Sequence, residues 1–219
     1  QIFWPYFIAG RMPDISLRAI NLEQSPVYVT ERKEVVIQEN TALQDAVEKV
    51  AKTVVGVRTK LVSGGVIEGS GLVVTNDGLM VTLSSLAPSG SSPSFFTETG
   101  AQAFQVLRRD PKTDLALVKL EANNLVTTGF ADLTRLKLGQ RVFLISYHLR
   151  SGSWQKSVNE GVIKTFNENR IETSLMEKSG FSGSPLFDIE GNLVGLAMAG
   201  PDNQVEAIPV SKIKALLDL

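Results

Sequence analysis

Cysteine is absent from all 219 residues, and histidine occurs once, as His148. The first absence excludes disulfides, a thiol nucleophile, iron–sulfur clusters and thiolate zinc sites. The second excludes any metal site built from several imidazoles. Charge of one sign is missing too: 22 Lys and Arg stand against 23 Asp and Glu, a net −1. Nothing in that balance favours nucleic acid or an anionic membrane surface as a partner. No run approaches the ~20 apolar residues that a membrane helix requires. What is there, 43% hydrophobic and 21% charged residues, suits a chain long enough to bury a core.

The most unusual local composition lies at the start, where Ile2, Phe3, Trp4, Tyr6, Phe7 and Ile8 crowd around Pro5. One reading is an interfacial aromatic belt beside a membrane anchor upstream of Gln1, or a contact between copies of the chain. The other is an apolar arm folded onto its own domain. Residues 1–41 read as an irregular arm, with a short strand pair at Val27–Thr30 and Glu34–Gln38. Thr41 with Gln44 makes a capping box, and Leu43, Ala46, Val47, Val50 and Ala51 form one apolar stripe, which predicts a surface helix over Leu43–Lys52.

From residue 53 to 209 the pattern is strand after strand. Val55, Val57, Thr59 and Leu61 alternate with Gly56, Arg58 and Lys60, the period of a half-buried strand. Further strands are expected at Val66–Val74, Leu79–Leu83, Ser94–Thr97, Ala103–Arg108, Leu115–Leu120 and Arg141–Ser146. The series continues at Val158–Thr165, Arg170–Thr173, Pro185–Phe187, Leu193–Met198 and Val205–Ile208. Turn residues separate them, as in Asn76-Asp77-Gly78 and Glu190-Gly191-Asn192. A dozen short strands with tight turns predict an all-β fold of antiparallel barrels or sandwiches. The weaker pattern over Asn123–Arg135 suits a crossover between two halves. A helix at Val210–Leu217 closes the chain.

Three segments carry chemistry. Gly180-Phe181-Ser182-Gly183-Ser184-Pro185 sets a serine between glycines, whose torsional freedom lets two N–H groups point inward beside the hydroxyl. Alone, such a turn reads as a structural one. In Arg109-Asp110-Pro111-Lys112-Thr113-Asp114-Leu115-Ala116, Asp114 opens an apolar strand, where a carboxylate needs a strong donor. Alone, it reads as a turn cap. The third is Glu68-Gly69-Ser70-Gly71, followed by the hairpin at Asn76-Asp77-Gly78.

Together, and in this order, these segments resemble the trypsin-like domain of the HtrA (Do-like) serine proteases. Gly191-Asn192-Leu193-Val194-Gly195-Leu196 and Ala207-Ile208-Pro209 before a helix extend the likeness over roughly residues 42–219. The resemblance implies two antiparallel six-stranded β-barrels, ~53–122 and ~136–209, after an N-terminal arm and helix and before a C-terminal helix. It implies that Ser182 is the nucleophile position, Asp114 the triad aspartate, Gly180 and Ser182 the oxyanion-hole donors, and Met176 the floor of an apolar substrate pocket. It implies no cofactor and no metal, and an extracytoplasmic place in the periplasm or cell envelope. Members often form trimers through N-terminal aromatic residues, a role open to residues 1–10. The family's regulatory PDZ module lies outside these residues.

At the triad histidine the sequence departs from the family: Leu83-Ser84-Ser85-Leu86-Ala87 puts Ser85 at that position. A serine hydroxyl needs a positioned base to become a nucleophile at neutral pH, and Ser85 is not one. Loss of a triad histidine costs about a millionfold in turnover, leaving roughly 10³–10⁴ over water from binding and the oxyanion hole. His148 is either a replacement base or a loop histidine near the outer side of the oxyanion loop. Phe181, where the family has Asn or Asp, is expected to set its ring at the cleft's edge, and Ser184 replaces a glycine. The expected function is a catalytically inactive protease homologue that binds an extended peptide or protein partner as an envelope scaffold. The alternative is an active serine endopeptidase with a non-standard base.

Overall fold

The computed structural model describes residues 41–219. The aromatic arm and the strand pair expected before residue 41 lie outside the described residues. Asp45–Leu219 form one compact unit. Residues 41–50 form a helix, α1, that buries Ala46 and Val50. It ends in a 3₁₀ turn, Ala51–Thr53, because the β-branched run Thr53-Val54-Val55 favours extended backbone.

Thirteen strands follow: β1 (Val54–Lys60), β2 (Val66–Val73), β3 (Leu79–Leu83), β4 (Ser92–Thr97), β5 (Gly100–Gln102), β6 (Phe104–Asp110), β7 (Leu115–Leu120), β8 (Arg141–Arg150), β9 (Ser153–Phe166), β10 (Ile171–Met176), β11 (Pro185–Asp188), β12 (Leu193–Ala199) and β13 (Gln204–Pro209). Helix α2 (Val210–Leu216) closes the chain. The second half is a closed six-stranded barrel, β10-β13-β12-β11-β8-β9, as expected. The first half is a half-barrel sheet of seven strands, β5-β4-β1-β2-β3-β7-β6, and not a closed ring of six. The extra strand is β5, which hairpins back on β4 through Thr97↔Gly100. A three-residue strand whose only apolar side chain is the small Ala101 gives almost no periodic signal in sequence.

Each half has its own core. In the first sheet Val55, Val57, Leu72, Met80, Val81, Phe95, Leu115 and Leu120 are buried, and Phe95 meets Phe104 edge to face at 4.8 Å. In the barrel Val142, Leu144, Ile163, Ile171, Leu175, Phe181, Leu186, Val194 and Val205 form one cluster. Burying each such side chain contributes about 1.5–3 kcal/mol, which fixes the registers that aim the loops between strands.

The hairpin β8–β9 is longer than the sequence pattern indicates. It pairs without a break from Arg141↔Val162 to Arg150↔Ser153, across a two-residue turn in which Ser151 (φ 51°) and Gly152 (φ 81°) are both left-handed. Those torsions match the strand twist of a type I′ hairpin. Its tip reaches the first sheet. Trp154 stacks on Phe96 at 4.5 Å and lies 5.3 Å from Tyr147, over Gly56, where a Cβ would stand 2.3 Å from the indole. Lys156 pairs with Glu98 beside this cluster.

Candidate active site

The site forms where β2 meets the loop before β11. Ser70 of β2 joins three elements. Its N–H donates to the Ser182 carbonyl at 2.9 Å, its hydroxyl accepts from Tyr147 N–H of β8 at 2.9 Å, and its carbonyl accepts from Thr82 Oγ1 of β3 at 2.7 Å. Backbone contact this close requires glycine on both sides. A Cβ on Gly69 would stand 2.4 Å from the Ser182 carbonyl, and one on Gly183 (φ +75°) would stand 2.3 Å from the Ser70 carbonyl. Sequence reading assigned Ser70 no role. The signal was its place between Gly69 and Gly71, a polar side chain just before the apolar run Leu72-Val73.

Ser182 is half-buried. The loop around it is tight: Ser184 N–H donates to Phe181 O at 2.9 Å, and Gly183 N–H donates to Ala197 O of β12 at 2.7 Å. Among the described residues, the N–H groups of Gly180 and Ser182 and the Ser182 hydroxyl donate to no protein acceptor. The Phe181 ring does not lie at the cleft's edge. It is 4% exposed and belongs to the barrel core, because burial of an aromatic ring is worth more than any contact at a wet rim. Ser184 is fully buried, and its Oγ has no hydrogen-bond partner.

Across from this loop, residues Ser84–Leu86 form a 3₁₀ turn after β3. Asp114 receives it. Ser85 N–H donates to Asp114 Oδ1 at 2.7 Å, Ser85 Oγ donates to Asp114 Oδ2 at 2.9 Å, and Ser84 N–H donates to the Asp114 carbonyl at 3.0 Å. Asp114 is half-buried in a left-handed conformation (φ 53°), and Ser85 is exposed. The preceding turn is shaped by Asp110, whose carboxylate accepts from Thr113 Oγ1 at 2.8 Å and from Lys112 N–H at 3.0 Å. The Thr113 bond is the main cause that holds the Asp110 carboxyl below its ordinary pKa. Arg109 Nε donates to Ala87 O at 2.6 Å and Thr59 Oγ1 to Leu86 O at 2.5 Å, which pins the turn from its far side. Leu86 links the two halves of the site: its Cδ1 stands 2.5 Å from the place of a Gly69 Cβ and 2.9 Å from that of a Gly183 Cβ.

His148 of β8 packs against the Ser182 loop from another direction. Its Cγ stands 3.6 Å from the place of a Gly180 Cβ, and its Nδ1 is buried without a hydrogen-bond partner. No hydrogen bond joins it to Ser182 among the described residues. Burial raises the pKa of the neighbouring Tyr147 phenol above its ordinary value, with Glu98 adding to the effect. Met176 ends β10 with 57% of its surface exposed, and its carbonyl accepts from Asn159 Nδ2 at 3.3 Å. Among the described residues, no group of three His, Asp or Glu side chains is placed to hold a metal ion.

A half-barrel sheet and a closed barrel meeting at a glycine-flanked serine, opposite an aspartate at a strand start, define a two-lobed hydrolase fold of the chymotrypsin type. The trypsin-like peptidase domain model matches residues 69–196, more than half of the chain, and the protein belongs to that family. Two relatives carry the name probable periplasmic serine endoprotease DegP-like. That of Halomonas elongata is 28% identical over 137 residues, covering 58% of this chain and 28% of its own length. That of Brucella suis is 26% identical over 170 residues, covering 70% and 33%. The chain thus spans about a third or less of these relatives. The solved structure of the HtrA-type protease AlgW with tripeptide superposes with a TM-score of 0.71 at 23% identity, over 80% of this chain and 62% of that one, a likeness of fold. No helix among the described residues is long and apolar enough to cross a membrane.

Proposed function

We propose that this domain binds an extended peptide or protein segment between its two lobes without hydrolysing it in the ordinary way, and serves outside the cytoplasm as a binding or scaffold module. The observation that carries this reading is the pairing of Ser85 with Asp114. Both carboxylate oxygens are engaged by the backbone N–H and the hydroxyl of one serine, so the acceptor that orients a catalytic imidazole serves a group with no basicity near neutral pH. The N–H groups of Gly180 and Ser182 and the Ser182 hydroxyl donate to no protein acceptor among the described residues, which supports their reading as donors to a bound carbonyl. Without a base these can bind a peptide carbonyl but not drive acyl transfer. Exposed Met176 supplies apolar surface for one side chain of the bound segment, and strand addition supplies the rest. The periplasmic names of the relatives support an extracytoplasmic place.

The alternative base, His148, packs on the Gly180 side of the loop and makes no hydrogen bond with Ser182, which weighs against an active endopeptidase. Purified protein and its Ser182→Ala variant, assayed on an unstructured polypeptide that contains no histidine, test the reading. Equal residual cleavage by both is expected, and cleavage lost only in the variant overturns it.

A further inference from the structure

Resting on that reading, we infer that the site hydrolyses one class of peptide, those that carry their own base: a histidine immediately before the residue whose carbonyl is attacked. The Ser85–Asp114 pair leaves a place for it. Asp114 Oδ1 is held by the Ser85 backbone N–H at 2.7 Å, a bond that survives any exchange of side chains. Asp114 Oδ2 is held only by the exposed Ser85 hydroxyl at 2.9 Å. An imidazole N–H arriving from solvent takes that oxygen while the hydroxyl turns to water.

The direction of approach follows from strand geometry. Successive side chains of an extended peptide point to opposite sides. When the attacked residue turns toward the barrel at Met176, its predecessor turns toward the half-barrel sheet, where Ser85 and Asp114 lie. The two catalytic positions flank a single side chain, Leu86, which touches both the Ser182 loop at Gly183 and β2 at Gly69. The chain's own histidine does not compete, because His148 is packed against Gly180.

Placing the histidine on the acyl side is required by the chemistry, since the base acts twice. As the Ser182 Oγ–carbon bond forms, the hydroxyl proton passes to the peptide's imidazole. It then passes to the departing amine nitrogen as the C–N bond breaks. Water next attacks the acyl-serine and gives a proton to the same imidazole, which returns it to Ser182 Oγ as the ester C–O bond breaks. The products are a carboxylic acid and an amine, with histidine and serine restored. A histidine on the leaving side would depart before the second half and leave the acyl-enzyme stranded.

The test uses the full chain with two chromogenic substrates, succinyl-Ala-Ala-His-Val-p-nitroanilide and the same peptide with Ala in place of His, with binding of each measured separately by calorimetry. The histidine substrate is expected to turn over at least about 100-fold faster. That rate should vanish in Ser182→Ala and rise with pH through about 6.5, as the imidazole becomes neutral. Equal binding with equal turnover overturns the inference and leaves peptide binding standing. Failure of both peptides to bind overturns the binding reading and this inference with it. Ser182-dependent cleavage of the alanine substrate at the same rate overturns both the inert reading and the need for a substrate base.

Discussion

Ser85 donates twice to Asp114, from its backbone N–H at 2.7 Å and from its hydroxyl at 2.9 Å. In a working triad the second of these bonds belongs to an imidazole, and its function is to orient a base. Here the same carboxylate closes a turn. Each consequence of that pairing can be measured.

Replacing Asp114 with Asn keeps the tolerance for a left-handed backbone but removes the charge that both Ser85 donors engage. Unfolding by urea should show a loss of about 1.5 kcal/mol, the low end for hydrogen bonds to a charged group, because Ser85 is exposed. Residual turnover of a histidine-free polypeptide should not change, whereas loss of an aspartate that still supported a base of the chain's own would lower it strongly.

Ser70 joins the two lobes through its N–H, which donates to the Ser182 carbonyl, and through its hydroxyl, which accepts from Tyr147 N–H and donates to Tyr147 O at 3.4 Å. Ser70→Ala leaves the buried Tyr147 N–H without a partner, and urea titration should show a loss of about 1–3 kcal/mol. Fluorescence of Trp154, which neighbours Tyr147 in the hairpin tip, should report the loosening. Unchanged stability would mean that the tip is held by the Trp154–Phe96 stack alone.

Asp77 in the β2–β3 turn accepts from Lys119 Nζ at 2.7 Å and from Thr75 Oγ1. The Lys119 bond, then the Thr75 bond, lower its pKa below 3.8. A carboxyl depressed on folding binds its proton more readily unfolded. Its stabilisation is therefore present above the unfolded value and is lost as pH falls through the folded one. Asp77→Asn should flatten the acid limb of the stability curve below about pH 4 and leave the curve above pH 6 parallel to the native one. High salt should shrink the difference, because the pair is exposed. An unaltered acid limb would show that the turn carries no charge linkage.

How much of this was written in the sequence depends on how local the cause is. Leu79–Leu83 and Leu115–Leu120 appear in the structure with the bounds that their apolar pattern predicts, since Asn76-Asp77-Gly78 and Asp114 mark their starts. The arrangement of Asp114, Ser85 and Ser182 rests on ordered motifs, and the structure brings the three segments together around Leu86. The continuation of β8 through Tyr147–Arg150 was not legible. Its residues mix apolar and charged side chains, and it is a strand only because Ser153–Ser157 pairs back on it. The inward turn of Phe181 was equally hidden, since nothing beside it in sequence says that the barrel core has room for a ring. Ser70 looked like a spacer between glycines because its three partners lie 12, 77 and 112 positions away.

The central claim is that Ser182 lacks a base because Ser85 occupies its place. The most direct measurement is the rate at which a fluorophosphonate probe labels Ser182 in the native chain and in Ser85→His, at equal folded concentration. The account predicts slow native labelling and a gain of about 100-fold or more when the imidazole is supplied on Asp114. Native labelling as fast as that of Ser85→His would contradict it, and would mean that a base already reaches the serine.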